Sequence, residues 1–248
     1  MAPMTSPGTA ERRLALDLLG DAAQRVNRTV DGFHGDDWGT PSLLPGWTRA
    51  HVVAHLALNA EGLARVLHGV VGDDLDGEPA TMYDSDERRD SDIDALARAE
   101  PSEIRERLLG GTTVLHDAFA AIPEGAWDRR VDRTPGGRSM RVASLPSMRV
   151  RELEIHHVDL GTHYTLADWS PEFAELLLDA MAKRDSSQSF EVKPLGSSRT
   201  WVLGSPDAEY PVPVVTGPAA DLGWWLTGRP APATLSCSHG ELPEIGAW

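Results

Sequence analysis

The sequence predicts an α+β protein, a four-helix bundle followed by a smaller α/β unit, with the change of character near residue 165. Three observations predict it. Apolar residues recur at helical spacing through the first two thirds of the chain. Short apolar runs bounded by Gly and Pro crowd the last third. Helices segregated from a mixed region are the pattern of two separate domains, here residues 1–165 and 166–248. A chain of 248 residues accommodates both and can bury a core without covalent staples.

The first helix lies in "AERRLALDLLGDAAQRVNRTVDGF", where Leu14, Leu18, Ala22, Val26 and Val30 share one face. "DDWGTPSLLPGW" interrupts it with Gly and Pro. Thr48 is placed to cap a second helix, "RAHVVAHLALNAEGLARVLHGVV". Residues 72–95 are acidic and contain Gly, and read as a long loop with some helix. A third helix is expected from "PSEIRERLL" to "DAFAAI", after which Pro123 and "TPGGRSM" punctuate the chain. A fourth is expected from about Arg141 to Tyr164. In the last third, "SPEFAELLLDAMAKRD" and "PAADLGWWLTGR" read as helices, and "SFEVKPLG", "TWVLG", "YPVPVVTG" and "ATLSCS" as strands.

The composition excludes several classes of function. Lys plus Arg number 23 against 38 Asp plus Glu, a formal net charge of −15. Such a chain is poorly suited to nucleic acid or an anionic membrane. The single cysteine, Cys237, allows no internal disulfide. The N-terminus lacks a basic start followed by an apolar run, and no stretch approaches the ~18 apolar residues of a membrane span. A cytoplasmic monomer is expected.

The chemistry concentrates in "RVRELEIHHVDLG", Arg149 to Gly161. Glu152 and His156 are one helical turn apart, bordered by Val150, Leu153 and Leu160 on one side and Ile155 and Val158 on the other. Asp159 and His163 roughly continue this polar stripe. In the second helix, His55 shares a face with Val52, Leu56, Asn59, Leu63 and Val66, so it points into the bundle, whereas His51 sits nearer the rim. A lone buried carboxylate is costly unless it is paired or metal-bound. Two imidazoles and a carboxylate from facing helices form a zinc set with a coordination position left open, and would also suit non-haem iron. The competing reading is a hydrogen-bonded core histidine beside a solvated Glu/His pair. His157 reads as packing, and Cys237, in an apolar run, as a small buried hydrophobe. Arg88 or Arg89, in "MYDSDERRDSDIDAL", could equally contact a cofactor or lie on a solvated surface.

Three stretches, "LPGWTRAHVVAHLALNAEGLARVL", "RVRELEIHHVDLG" and "VTGPAADLGWWLTGRP", resemble the mycothiol-dependent maleylpyruvate isomerase family over nearly the whole chain. The resemblance implies a DinB-like four-helix bundle followed by a sterol-carrier-protein-like α/β domain. It implies a divalent metal, most simply zinc, on His55, Glu152 and His156, and a functional arginine at Arg229. The cofactors implied are that metal and mycothiol; the partners are a small-molecule thiol and a carboxylate substrate. The activity implied is cis–trans isomerisation of maleylpyruvate to fumarylpyruvate by reversible thiolate addition. Mycothiol S-transfer to another electrophile, or a non-enzymatic metal-binding or regulatory role, are the alternatives.

Overall fold

A computed structural model of the chain describes residues 7–72, 80–205 and 211–246. Two compact units divide it, the first ending at His163 and the second beginning at Tyr164. Part of the acidic loop expected at 72–95, residues 73–79, and Tyr210 of the strand expected in "YPVPVVTG", lie outside the described residues.

The first unit is built on α1 (Pro7–Asp31), α2 (Arg49–Val71), α4 (Pro101–Ala120) and α5 (Leu145–Asp159), with a shorter α3 (Asp86–Ala97) packed on α2. α1 lies along α5, α5 along α2, and α2 along α4. α2 is the core helix. Val52, Val53, Ala54, Leu56, Ala57, Ala60, Leu63, Val66 and Leu67 are all fully buried, each Val or Leu contributing about 1.5–3 kcal/mol of transfer free energy. α2 and α4 approach closely at Gly111, where a Cβ would stand 3.3 Å from the Ala60 Cβ and 3.4 Å from the Ala57 carbonyl oxygen. At the start of α2, the Thr48 backbone N–H donates to His51 Nδ1 at 3.2 Å, satisfying a donor that the helix itself leaves unpaired.

The fourth long helix is shorter at both ends than the expected span from Arg141 to Tyr164. Its expected start is taken by a hairpin that the sequence reading missed. β1 (Arg130–Asp132) pairs antiparallel with β2 (Ser139–Arg141), so the Arg141 backbone is held opposite Arg130. The chain then makes a 3-10 turn, Val142–Ser144, before α5 begins. At the other end Gly161 takes φ +62° and its N–H bonds the Val158 carbonyl, a left-handed stop that glycine adopts without steric cost. Arg49 then closes this terminus, donating to the carbonyls of Leu160 and Gly161 at 2.9 Å each.

The second unit places α6 (Pro171–Met181) and α7 (Ala219–Leu226) against each other beside a four-stranded sheet. Its strands are β3 (Phe190–Pro194), β4 (Trp201–Leu203), β5 (Val214–Gly217) and β6 (Ser236–Cys237), in spatial order β4-β3-β5-β6. β3 and β5 run parallel, with Val192 opposite Val215; the outer pairs are antiparallel. Inward residues of β3 and α7 meet at Phe190 and Trp225, whose ring centres are 5.6 Å apart. The strand expected over "ATLSCS" contracts to two residues.

Candidate metal centre

α5 is buried on almost every side, which disposes of the solvated-face reading of its acids and histidines. Glu154, His156, His157 and Asp159 are all less than a tenth exposed. Each is met by a polar group. Toward α1, Glu154 pairs with Arg25 and His157 Nε2 lies 2.7 Å from Thr29 Oγ1. Toward α2, Arg149 Nη1 donates to the Leu56 carbonyl at 2.9 Å and to Asn59 Oδ1 at 2.8 Å.

His55 of α2 and Glu152 and His156 of α5 come together. His55 Nε2 is 2.8 Å from Glu152 Oε2, and His156 Nε2 is 3.3 Å from the same oxygen. The three potential donor atoms lie within 4.8 Å of one another, and the two imidazoles meet edge to face, their centres 4.7 Å apart. Asp159 Oδ2 lies 2.8 Å from His156 Nδ1. An Nδ1–H donated there leaves the Nε2 lone pair directed at the cluster, the orientation a metal ligand needs. Two imidazoles, one of them backed by a carboxylate, and the carboxylate of Glu152 thus fit a divalent cation with a coordination position left over.

The cluster is electrostatically tense. Burial outweighs the neighbouring Glu152 and lowers the His55 pKa from 6.5 to about 4. Burial would raise the Glu152 pKa, but hydrogen bonds from His156 and His55 hold it well below its ordinary value. Burial likewise opposes charge on His156, yet the contacts with Asp159 and Glu152 raise its pKa.

The remaining sequence candidates fall elsewhere. His51 is committed to the helix start, stacks on Trp47 with centres 6.2 Å apart, and reaches Asp94 at 3.7 Å. His163 is exposed rather than part of the polar stripe. Arg88 pairs with Asp92 on the surface. Arg89 turns inward, its Nη2 3.2 Å from His55 Nδ1 and its guanidinium 5.8 Å from the centre of the Tyr83 ring. Tyr83 is itself buried, and that burial raises its pKa. The sequence reading missed Tyr83 and Arg149 altogether. Its one usable signal was Asn59, a polar residue on the buried stripe.

Arg229 follows Gly228, at φ +79°, and its guanidinium is held by neighbours on its own turn. It lies 5.3 Å from the centre of the Trp224 ring, donates to the Thr227 carbonyl at 3.3 Å and is half-buried. Cys237 is half-buried on the edge strand β6, not enclosed in a core.

Comparison with known proteins is consistent across both units. Residues 19–161 match the family model described as the mycothiol maleylpyruvate isomerase N-terminal domain, and residues 168–246 the model described as the MDMPI C-terminal domain. A crystal structure of the mycothiol-dependent maleylpyruvate isomerase is similar with a TM-score of 0.83 at 27% identity, covering 96% of this chain and 97% of that one. A histidine-to-alanine mutant of that enzyme is similar at 0.82 and 26% identity, with the same coverage. No curated protein matches. Among the described residues no helix is long and apolar enough to cross a membrane.

Proposed function

The chain belongs to the mycothiol maleylpyruvate isomerase family, and from that premise we propose that it is a metal- and mycothiol-dependent isomerase converting maleylpyruvate to fumarylpyruvate. The observation that carries the reading is the enclosed His55–Glu152–His156 cluster with Asp159 behind His156. A divalent cation there, most simply zinc, would be held by His55, Glu152 and His156 and would favour the thiolate form of mycothiol, supplying a nucleophile for reversible addition to the cis double bond.

The chain's own residues have distinct tasks. His55, Glu152 and His156 would hold the cation and leave a position open. Asp159 would fix the ring of His156 by accepting from Nδ1. Glu152 stays ionised because two imidazoles face it, so it would bring one negative charge to the cation. Trp47 flanks the cluster, its ring centre 5.8 Å from that of His55. Arg229 is assigned to a substrate carboxylate, a task its planar fork of donors suits.

The test is turnover of maleylpyruvate by zinc-loaded protein with mycothiol, following both product and thiol. Fumarylpyruvate formed with thiol undiminished is expected. Consumption of one thiol per substrate would instead make the protein an S-transferase. Absence of any thiol-dependent turnover would remove the enzymatic reading.

A further inference from the structure

The first unit also contains a cavity of about 310 Å³ that none of the three cluster residues lines. It lies where α1, α4 and α5 come together, and Asn27, Thr112 and Arg149, one from each helix, line it together with the exposed Gln24, Thr113 and His116. Each of the first three side chains has a polar atom out of reach of water and without a hydrogen-bond partner among the described residues: Asn27 Oδ1, Thr112 Oγ1 and Arg149 Nη2. Leu19, Ala23, Leu115 and Leu153 supply apolar wall. Native interiors leave few polar atoms unpaired. Three of them around one cavity, on three different helices, point to something that the cavity receives.

Arg149 says what kind of group that is. It is 1% exposed, its Nη1 is used on α2, and it forms no ion pair among the described residues. Glu152, one turn along the same helix, acts on it through space but is held by two imidazoles. A buried cation without a counterion is costly. Burial lowers the guanidinium pKa to about 10, which still leaves it charged at neutral pH. One guanidinium in a largely apolar enclosure matches a singly charged carboxylate. Asn27 Oδ1 can only accept, so it calls for a hydroxyl or amide donor on the ligand. Cavities of this size hold small organic molecules.

We propose that this cavity is a second small-molecule site, for a hydroxylated monocarboxylate whose carboxylate pairs with Arg149, whose hydroxyl serves Asn27 or Thr112, and whose apolar body lies on the leucines. The site stands independently of the reaction at the metal cluster. Calorimetric titration of zinc-loaded protein with ω-hydroxyoctanoate tests it, with octanediol as the uncharged comparator. Saturable one-to-one binding is expected, at least about tenfold tighter than the diol, and unchanged when zinc is removed. Gly20 lines the cavity, and a Cβ there meets nothing within 4 Å. Gly20→Phe should therefore block binding by about tenfold or more without lowering the thermal midpoint, since it replaces a helix-interior glycine. Arg149→Met should erase the preference for acid over diol. No saturable binding would mean the cavity holds water alone and would overturn the proposal. So would equal affinity for acid and diol, indifference to Gly20→Phe, or loss of binding on removing zinc, which would place the acid at the metal cluster instead.

Discussion

His55 is the residue at which burial and charge compete most openly, and its lowered pKa has a measurable consequence. Its folded value, about 4, lies below the ordinary 6.5. Across that window the unfolded chain binds more protons than the folded one, so metal-free protein loses stability as pH falls, by up to about 1.4 kcal/mol per pH unit. His156 shifts the other way, so its contribution is complete below 6.5 and leaves this window undisturbed. Glu152 contributes above its ordinary range and loses that only as pH falls through its depressed folded value. Urea unfolding of metal-free protein should show the slope, and His55→Gln should flatten it; an equal slope in both would assign the titration elsewhere. For the metal itself, His55→Ala should abolish zinc uptake and His51→Ala should largely preserve it, because His51 is used at the start of its helix. Arg89 is placed to oppose loading. It offers a donor to His55 Nδ1, whereas a histidine coordinating through Nε2 needs an acceptor there. Arg89→Gln should therefore tighten zinc binding in a chelator competition, and weaker binding would show that the guanidinium helps. Arg229→Ala should retain zinc but lose about 2–4 kcal/mol of transition-state stabilisation, with little rescue by Lys; near-native turnover would remove its assignment. The three cluster residues were legible because helical periodicity orders residues within one helix. Arg89 and Arg149 were not, because an arginine on a charged stretch looks the same whether it faces water or reaches a partner 34 or 90 positions away.

At the level of elements, the long helices of the first unit were readable because each carries its own apolar stripe and punctuation. The fourth was overextended at both ends for reasons that lie outside it. Its start is set by pairing of β1 with β2, and three-residue strands carry almost no periodic signal. Its end is set at Gly161, even though "THY" beyond it has no strong helix breaker. The shrinkage of β6 has the same origin, since a two-residue edge strand exists only through its partner β5. The close crossing of α2 and α4 gives an element-scale prediction. Gly111→Val must place two methyl groups beyond a Cβ already tight against Ala60 and Ala57. It should cost about 1–3 kcal/mol in chemical denaturation, whereas Gly110→Ala, where a Cβ meets nothing within 4 Å, should stabilise by roughly 0.5–1 kcal/mol. Equal effects at the two positions would mean that the crossing is compliant.

For the whole molecule, a boundary near residue 165 is our proposal for independent folding. A fragment ending there should fold cooperatively and take up zinc, yet lack maleylpyruvate turnover for want of Arg229. A fragment without a cooperative transition would make the two parts one folding unit. The distribution of the three proposed metal ligands along the chain bears on the order of events in folding. Glu152 and His156 are neighbours on α5, but His55 is 97 positions from Glu152. In the unfolded chain the first two offer at best a weak grip, and the third arrives only when a very long loop has closed. Zinc bound there would therefore act as a late clasp rather than a template: it should slow unfolding while leaving the refolding rate almost unchanged. Stopped-flow chevrons with and without zinc would register this in the unfolding limb, and the protein's lifetime, more than its speed of maturation, would then follow the supply of metal.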